Sequence, residues 1–265
     1  MPTIYIHLVR HAQGWHNLSK ENEAMRDPDL TPFGRDQCAQ LARSFPHHDR
    51  VTHLVASPMR RTLYTCLLSF EPVLNNNKER KVVALPDVQE ISPLPCDTGS
   101  PVEALAAEFS GGGGGAGAVD LGLLTPEWND KSDGSVYAPR MDRLEARARR
   151  ARAWLRELGR EFIAASQEGR GGGVDAHIVV VTHGGFLHFL TQDWDGMNPA
   201  QGTGWVNTEW RSYEFVGGEE DEEARLRETG ASWRRRRGSE VALTETEQME
   251  LRIAMKGRLE EEWGA

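Results

Sequence analysis

The sequence predicts an α/β fold, a three-layer sandwich in which helices flank a mostly parallel central sheet. Short apolar runs alternate with amphipathic segments along most of the chain, which is the pattern of repeated βαβ units. These runs contain few polar residues, as buried parallel strands do. Three of the runs are followed directly by segments rich in arginine or histidine, so the same edge of the predicted sheet receives all of these side chains.

The first half of the chain predicts three strands and two helices. The strands are expected over residues 4–10, 51–56 and 81–85. Thr31 suits an N-cap and Pro32 suits the first helical position, so a helix should run from there to about Ser44. A second helix is expected to follow the second strand and to end near Phe70.

The second half continues the alternation after a glycine-rich insertion near residues 110–118, which we expect to be flexible. A long helix is expected over about 139–168, a buried strand over 177–182, a helix after Gly185, and a partly exposed strand over 210–216. We therefore predict one α/β domain over residues 1–217. Residues 218–265 are predicted to form a charged, peripheral extension with a last helix from Thr244.

Two arginine-rich stretches are interpreted as solvated surface. The long helix places arginines opposite its apolar face, among them Arg143, Arg147, Arg150 and Arg160. The run Arg234 to Arg237 is interpreted as a solvated segment balanced by the acidic tract 219–223, with a nuclear-localisation patch as the alternative.

Composition narrows the class of protein. The chain has 38% apolar and 27% charged residues and a formal net charge of −9, which argues against a surface that coats nucleic acid. Apolar runs stay well short of the roughly 20 residues that cross a membrane, and the N-terminus has no signal-peptide pattern. We expect no membrane association and a cytoplasmic or nuclear location. Cys38, Cys66 and Cys96 are widely spaced, and we expect reduced thiols.

Cationic side chains are expected to converge in one crevice at the carboxyl ends of the strands. The first strand brings Arg10 and His11, the second leads to Arg60 and Arg61, and the late strand leads to His183. The planar guanidinium of arginine suits a phosphate, and helix N-termini after Ser57 and Gly185 add amide donors. Glu90, after the third strand, can supply a carboxyl group. This combination predicts a site that handles phosphate.

The motifs resemble the histidine phosphatase superfamily, the phosphoglycerate mutase-like group, over roughly residues 4–215. They are Arg10-His11-Ala12, Asn17, Leu30-Thr31-Pro32-Phe33-Gly34-Arg35-Asp36-Gln37, Ser57-Pro58-Met59-Arg60-Arg61-Thr62 and Thr182-His183-Gly184-Gly185. Two further segments, 95–99 and 202–210, resemble a fungal branch of the family and are expected to shape the substrate pocket.

The resemblance implies a role for each matched residue. His11 is the nucleophile that forms a phosphohistidine, and Arg10, Arg61 and His183 surround the phosphoryl oxygens with Asn17 as an added donor. The spacing of the family motif selects Arg61 over Arg60. The acid/base carboxylate is assigned to Glu90, with Asp87 as a rival. The family works without a metal, so no cofactor is expected.

The function predicted from the sequence is metal-independent hydrolysis of a small phosphomonoester, an ordinary phosphorylated metabolite, through a phosphohistidine. A phosphoglycerate mutase-like phosphotransferase is the close alternative. It would need second phosphate anchors, and the sequence identifies none. The other alternative is a non-catalytic phospholigand-binding protein, although both catalytic histidines are present. The sequence predicts neither the identity of the substrate nor the oligomeric state.

Overall fold

The computed structural model describes residues 2–110, 117–170, 173–198, 203–218, 220–238 and 243–263. Most of the predicted glycine-rich insertion near 110–118 therefore lies outside the described residues. The described strands form one sheet of seven strands, in the order β4-β3-β2-β5-β1-β6-β7. The strands are β1 (Ile4–Arg10), β2 (His53–Ala56), β3 (Val82–Ala84), β4 (Val119–Asp120), β5 (Ala176–Thr182), β6 (Trp210–Phe215) and β7 (Leu226–Glu228).

The sheet is mostly parallel, which confirms the predicted fold class. Strands β1 to β5 pair in parallel, whereas β6 runs antiparallel to β1, and β7 runs antiparallel to β6. In the middle of the sheet, β5 lies between β1 and β2, and all seven of its residues are buried. The continuous apolar run of β5 has this physical reason, since both faces of the strand are covered.

The helices are α1 (Pro32–Ser44), α2 (Arg60–Ser69), α3 (Glu71–Asn76), α4 (Val102–Ser110), α5 (Met141–Arg170), α6 (Gly184–Thr191), α7 (Gly230–Arg237) and α8 (Glu245–Trp263). The predicted N-cap of α1 is confirmed, because the Thr31 hydroxyl accepts a hydrogen bond from the Gly34 amide at 2.9 Å. At the start of α8, Thr244 and Glu247 exchange the two hydrogen bonds of a capping box.

Two apolar clusters cover the two faces of the sheet. Alternate residues of β5 belong to different clusters: Ile178 and Val180 face one side, and Val179 and Val181 face the other. The first cluster includes residues of α5, α6 and α8 (Leu155, Phe186 and Leu259 among them), and the second includes residues of α2 (Leu63 and Cys66 among them). The helices of the sandwich are therefore held by apolar burial on both sides of the strands.

The segment after residue 217 packs on the same sheet. β7 adds a strand to its edge, and Met255 and Leu259 of α8 are 5% and 2% exposed within the first apolar cluster. The side chain of Gln248 accepts a hydrogen bond from the Trp194 amide at 3.0 Å. The division into a domain and an extension at residue 217 stays a prediction, but Met255 and Leu259 show that part of the C-terminal segment is core.

The basic run at the end of α7 is paired within the protein. The Arg235 guanidinium lies 3.5 Å from the centre of the Trp210 ring, Arg236 pairs with Glu228 at 2.7 Å, and Arg237 pairs with Asp195. Glu228 and Asp195 lie outside the acidic tract 219–223. The predicted balancing of this run by that tract is therefore wrong for these pairs.

The prediction of a solvated arginine face on α5 is wrong for Arg147. The side chains of Arg143 and Arg150 are about half exposed, as expected, but Arg147 is fully buried. Its guanidinium lies 4.6 Å from the centre of the Phe186 ring of α6 and donates to the Gln89 carbonyl at 3.0 Å. Helical periodicity identifies the apolar face but not the flanks that α6 and the 89–90 segment cover.

No helix in the described part of the chain has the length and apolar character needed to cross a membrane. Cys38, Cys66 and Cys96 are free and buried. The reduced state predicted for these thiols agrees with this placement.

Candidate active site

The carboxyl ends of three parallel strands meet at one place, as the sequence predicts. Arg10, at the end of β1, lies opposite Thr182, at the end of β5. The amide of His11 donates to the Thr182 carbonyl at 2.9 Å, and the amide of Ser57, just after β2, donates to the Val181 carbonyl at 3.0 Å. Segments from distant parts of the chain therefore begin their loops side by side.

His11 is a buried, neutral imidazole with one nitrogen fixed. Its Nδ1 lies 2.7 Å from the Ala12 carbonyl, and because a carbonyl only accepts, Nδ1 carries the proton. Burial, with Arg61, His16 and Arg10 nearby, holds the pKa of His11 well below its usual value. The ring is 2% exposed. The lone pair therefore resides on Nε2, which is the form of histidine that acts as a nucleophile.

His183 lies next to His11, with 5.2 Å between the two ring centres. Its Nδ1 accepts a hydrogen bond from Nη2 of Arg61 at 3.1 Å, so Nε2 carries the proton and donates to the Ser57 hydroxyl at 2.8 Å. Burial and the charge of Arg61 hold the pKa of His183 well below its usual value. Both catalytic candidates are neutral rings in an otherwise cationic pocket.

Arg61 is fully buried and bonded on three sides. Nη1 donates to the Cys96 carbonyl at 2.6 Å, and Nη2 donates to Oδ1 of Asp97 at 2.8 Å as well as to His183. Its Nε has no hydrogen-bond partner. Arg60 turns away and pairs with Glu108 at 2.9 Å. The structure thus brings Arg61, and not Arg60, to the histidines.

Arg10 is the second arginine close to His11. Its Nη1 donates to the Trp205 carbonyl, and its Nε is buried without a partner. Nearby, Nδ2 of Asn207 donates to the His11 carbonyl at 2.9 Å. Buried N–H groups rarely stay unpaired, so the free Nε–H groups of Arg10 and Arg61 are suited to an oxyanion.

The two segments expected to shape the substrate pocket have a definite structural role. Cys96 and Asp97, of the 95–99 segment, hold Arg61, whereas Trp205 and Asn207, of the 202–210 segment, hold Arg10 and the His11 main chain. Residue 202 of the second segment lies outside the described part. Both segments therefore hold the cationic side chains in position.

Glu90 binds the first turn of α6, directly after His183. Oε1 accepts from the amides of Ile91 and Phe186 at 3.0 and 2.9 Å, and Oε2 accepts from the Gly185 amide at 3.1 Å. A Cβ at Gly185 would lie 2.8 Å from Oε1, so glycine allows this close approach without a shift of the Glu90 side chain. Burial and the charge of Asp97 raise the pKa of Glu90, against these amide bonds and Arg61. A carboxyl group with a raised pKa suits general acid and base catalysis.

Asp87, the rival carboxylate, is engaged elsewhere. It belongs to the 3-10 turn Pro86–Val88 and pairs with Nη2 of Arg150 at 2.7 Å. The Arg150 side chain is 45% exposed, which places this ion pair at the surface of α5. The structure brings Glu90, and not Asp87, to the helix that follows His183.

Asn17 contacts His16, which in turn lies beside His11. The residue is exposed, its Oδ1 accepts from the Gly14 amide at 3.0 Å, and its Nδ2 donates to Nε2 of His16 at 3.1 Å. The His16 ring lies 5.4 Å from the His11 ring. Burial and two arginines lower the pKa of His16 to about 2. Asn17 thus reaches the nucleophile only through His16 in this structure.

Four residues of the site were not predicted: Ser57, Asp97, Lys131 and Arg147. Ser57 and Asp97 lie within the motif 57–62 and the segment 95–99, so the sequence indicates that they are near the site but not what they do there. Lys131 precedes α5 and donates to the Glu90 carbonyl at 2.8 Å, and Arg147 donates to the same carbonyl at 3.3 Å. Neither residue belongs to a motif, and no signal for them exists in the sequence.

Known proteins similar to this chain agree with the assignment made from its motifs. Residues 6–109 match the model of the histidine phosphatase superfamily (branch 1). Two Arabidopsis thaliana proteins, named phosphoglycerate mutase-like protein and phosphoglycerate mutase-like protein 2, are each 39% identical over 75 residues, or 24% of this chain. The matched stretch covers 28% of the first plant protein and 22% of the second, so it spans about a quarter of the length of each.

Solved structures are similar over most of their length. One named mycobacterial hydrolase 1 is 21% identical with a TM-score of 0.49, covering 85% of this chain and 97% of its own. The ecdysone phosphate phosphatase of the silk moth Bombyx mori is 16% identical with a TM-score of 0.49, covering 85% of this chain and 92% of its own. A phosphoglycerate mutase of Bacillus anthracis is 14% identical with the same TM-score, covering 86% and 92%. The fold assignment rests on the strand order of this chain itself.

These relatives come from plants, bacteria and an insect, and they do not support the fungal branch inferred from the two segments. The family match agrees, over residues 6–109, with the superfamily inferred from the motifs. The segment that carries His11, Asn17, Arg61 and Glu90 is similar to the histidine phosphatase superfamily, branch 1, over residues 6–109.

Proposed function

We propose that this protein is a phosphatase that hydrolyses small phosphomonoesters through a phosphohistidine at His11, without a metal. The observation that carries the proposal is the fixed tautomer of His11: Nδ1 is held by the Ala12 carbonyl, so the free lone pair lies on Nε2. The partly unpaired cations Arg10 and Arg61 lie around this ring, and their N–H groups suit the oxygens of a phosphoryl group.

The reaction has two balanced steps. In the first, Nε2 of His11 attacks phosphorus, the bond to the leaving oxygen breaks, and protonated Glu90 gives its proton to that oxygen. In the second, the Glu90 carboxylate takes a proton from a water molecule, whose oxygen attacks phosphorus and releases His11 and inorganic phosphate. Arg10 and Arg61 stabilise the charge on the phosphoryl oxygens in both steps. His183 joins them when its Nε2–H turns from the Ser57 hydroxyl to a phosphoryl oxygen.

Glu90 suits both roles because opposing influences act on its carboxyl group. Burial and Asp97 raise its pKa and favour the protonated acid, while the amides of Gly185 and Ile91 and the charge of Arg61 favour the carboxylate. A group that acts first as an acid and then as a base needs both forms within reach at one pH.

The test is to trap the phosphoenzyme. Wild-type protein mixed with a ³²P-labelled aryl phosphate and quenched should carry label that is stable in alkali and released by acid, as a phosphohistidine is. His11→Ala should carry none, whereas a chelator should leave turnover unchanged. A His11→Ala protein that turns over at the wild-type rate would refute the proposal.

The mutase alternative is tested in the same preparation with 3-phosphoglycerate. Isomer formed without free phosphate would show that phosphohistidine is passed back to the product. Among the described residues, the added basic side chains beside the site are Lys131 and Arg147, and both bind the Glu90 carbonyl. They are not free to anchor a second phosphate, so hydrolysis is the reaction we propose. The cytoplasmic or nuclear location expected from the sequence stays a prediction.

A further inference from the structure

The main chain of Glu90 is held by two cationic side chains that the mechanism above does not use. Its carbonyl accepts from Nζ of Lys131 at 2.8 Å and from Nη2 of Arg147 at 3.3 Å. The same nitrogen of Arg147 also donates to the Gln89 carbonyl at 3.0 Å. A single carbonyl with two cationic donors is a strong anchor, since charged donors form the stronger hydrogen bonds.

Arg147 also contacts the residue that binds the Glu90 carboxyl group. Its guanidinium lies 4.6 Å from the centre of the Phe186 ring, and the Phe186 amide donates to Oε1 of Glu90 at 2.9 Å. One buried side chain therefore touches both the main chain of Glu90 and the first turn of α6 that receives its side chain. These two contacts fix the position from which the carboxyl group acts.

Arg147 is held there without an anion of its own. It is fully buried, yet its Nε and Nη1 have no hydrogen-bond partner, and the nearby Asp87 pairs with Arg150. A buried cation without a paired carboxylate is costly for the fold. Stability alone therefore gives no reason for this arginine, and a role at Glu90 does.

Lys131 likewise donates to a main-chain carbonyl, although the usual partner of a lysine is a carboxylate at the surface. The residue is partly buried, and burial together with Arg147 lowers its pKa to about 7, against the charges of Asp97 and Glu90. It comes from the segment just before α5, whereas Arg147 comes from the first half of α5. Two separate parts of the chain thus converge on one main-chain oxygen.

We propose that Arg147 and Lys131 are positioning residues that hold the main chain of Glu90, so that its carboxyl group stays in place to protonate the leaving oxygen. This role rests on the proposed function of Glu90. It predicts that the two cations matter most when the leaving oxygen needs a proton. An alkyl phosphate has a poor leaving group and requires that proton, whereas an aryl phosphate leaves readily without it.

The experiment compares the hydrolysis of glycerol 2-phosphate with that of 4-nitrophenyl phosphate by the protein of residues 1–265. We expect Arg147→Met and Lys131→Met to lose about tenfold or more in kcat on the alkyl ester relative to their loss on the aryl ester. Arg147→Lys, which restores one donor, should recover part of the selective loss. The matched control is Arg150→Met, three residues further along the same helix, which should leave the ratio of the two rates unchanged.

Glu90→Gln separates the two levels of inference. If Glu90→Gln shows the selective loss but Lys131→Met and Arg147→Met slow both esters equally, or neither, the positioning role is wrong and the function of Glu90 stands. If Glu90→Gln itself shows no selective loss, the proton-donor role of Glu90 is wrong, and the positioning role falls with it. Lys131 is partly exposed, so Lys131→Met decides the question even if Arg147→Met does not fold.

Discussion

Asp97 is expected to contribute more to the free energy of unfolding than an ordinary surface carboxylate does. It is 7% exposed, its Oδ1 pairs with Nη2 of the fully buried Arg61 at 2.8 Å, and its Oδ2 accepts from the Ser92 hydroxyl at 2.6 Å. Asp97→Asn keeps the shape and removes the charge. Arg61 then stays buried with only carbonyl, amide and imidazole acceptors, which should cost about 3 kcal/mol of unfolding free energy.

The matched control is Asp87→Asn. Asp87 also pairs with an arginine at 2.7 Å, but the Arg150 side chain is 45% exposed. Solvent screens that pair, so its loss should cost less than about 1 kcal/mol. Urea unfolding monitored by tryptophan fluorescence measures both variants against wild type. Equal costs for the two variants would refute the argument from burial.

Asp97→Asn should also change the pH dependence of catalysis. The Asp97 charge raises the pKa of Glu90, because two nearby carboxylates resist both being ionised. Without that charge Glu90 loses its proton at a lower pH. The alkaline limb of the kcat profile for an alkyl phosphate should therefore move to lower pH. A limb that stays in place would show that Asp97 does not act on the proton donor.

Three further variants test other parts of the structure. Ser57→Ala removes the acceptor of the His183 Nε2 proton and should cost about 1 kcal/mol with a clear loss of kcat and an unchanged circular dichroism spectrum. Burial and two neighbouring histidines lower the pKa of His7 from 6.5 to about 3. The stability that this group contributes is therefore complete above pH 6.5 and is lost as the pH falls towards 3, by an amount on the order of 5 kcal/mol. His7→Gln should reduce this dependence on pH when the free energy of unfolding in urea is measured at acid pH. Leu259→Ala should destabilise the protein by about 2 to 4 kcal/mol. Ile253 is 66% exposed on the same helix, so Ile253→Ala should change stability by less than about 0.5 kcal/mol. Similar losses for the two variants would mean that α8 is not packed as described.

Local chemistry explains why much of the fold was predictable. Thr31 and Pro32 mark the start of α1, and the structure places the helix over Pro32–Ser44 as expected. The long apolar run of β5 predicts a strand that is covered on both faces. By contrast, β4 and β7 contain two and three residues, too few for a periodic signal, and only their neighbours in the sheet make them strands.

The site was predictable to the extent that its residues follow strands. Arg10, His11 and His183 stand at or directly after the end of a strand, and Arg61 lies in the first turn of the helix that follows β2. The structure brings these four residues together. The supporting groups were not predictable, because their partners are distant in sequence. Asp97 lies 36 residues from Arg61, and Arg147 lies 57 residues from Glu90 on a flank that helical periodicity assigns to solvent.

The nucleophile is anchored by residues that are synthesised long after it. The His11 amide is bound by the Thr182 carbonyl, and the His11 carbonyl is bound by Asn207, 196 residues further along. His11 therefore leaves the ribosome long before the groups that fix it. Strands β1 and β2 cannot take their places in the sheet until β5, which lies between them, has been synthesised. A nascent chain stalled before residue 182 should contain the reactive histidine and still form no phosphoenzyme, so the order of translation delays catalysis until the sheet is nearly complete.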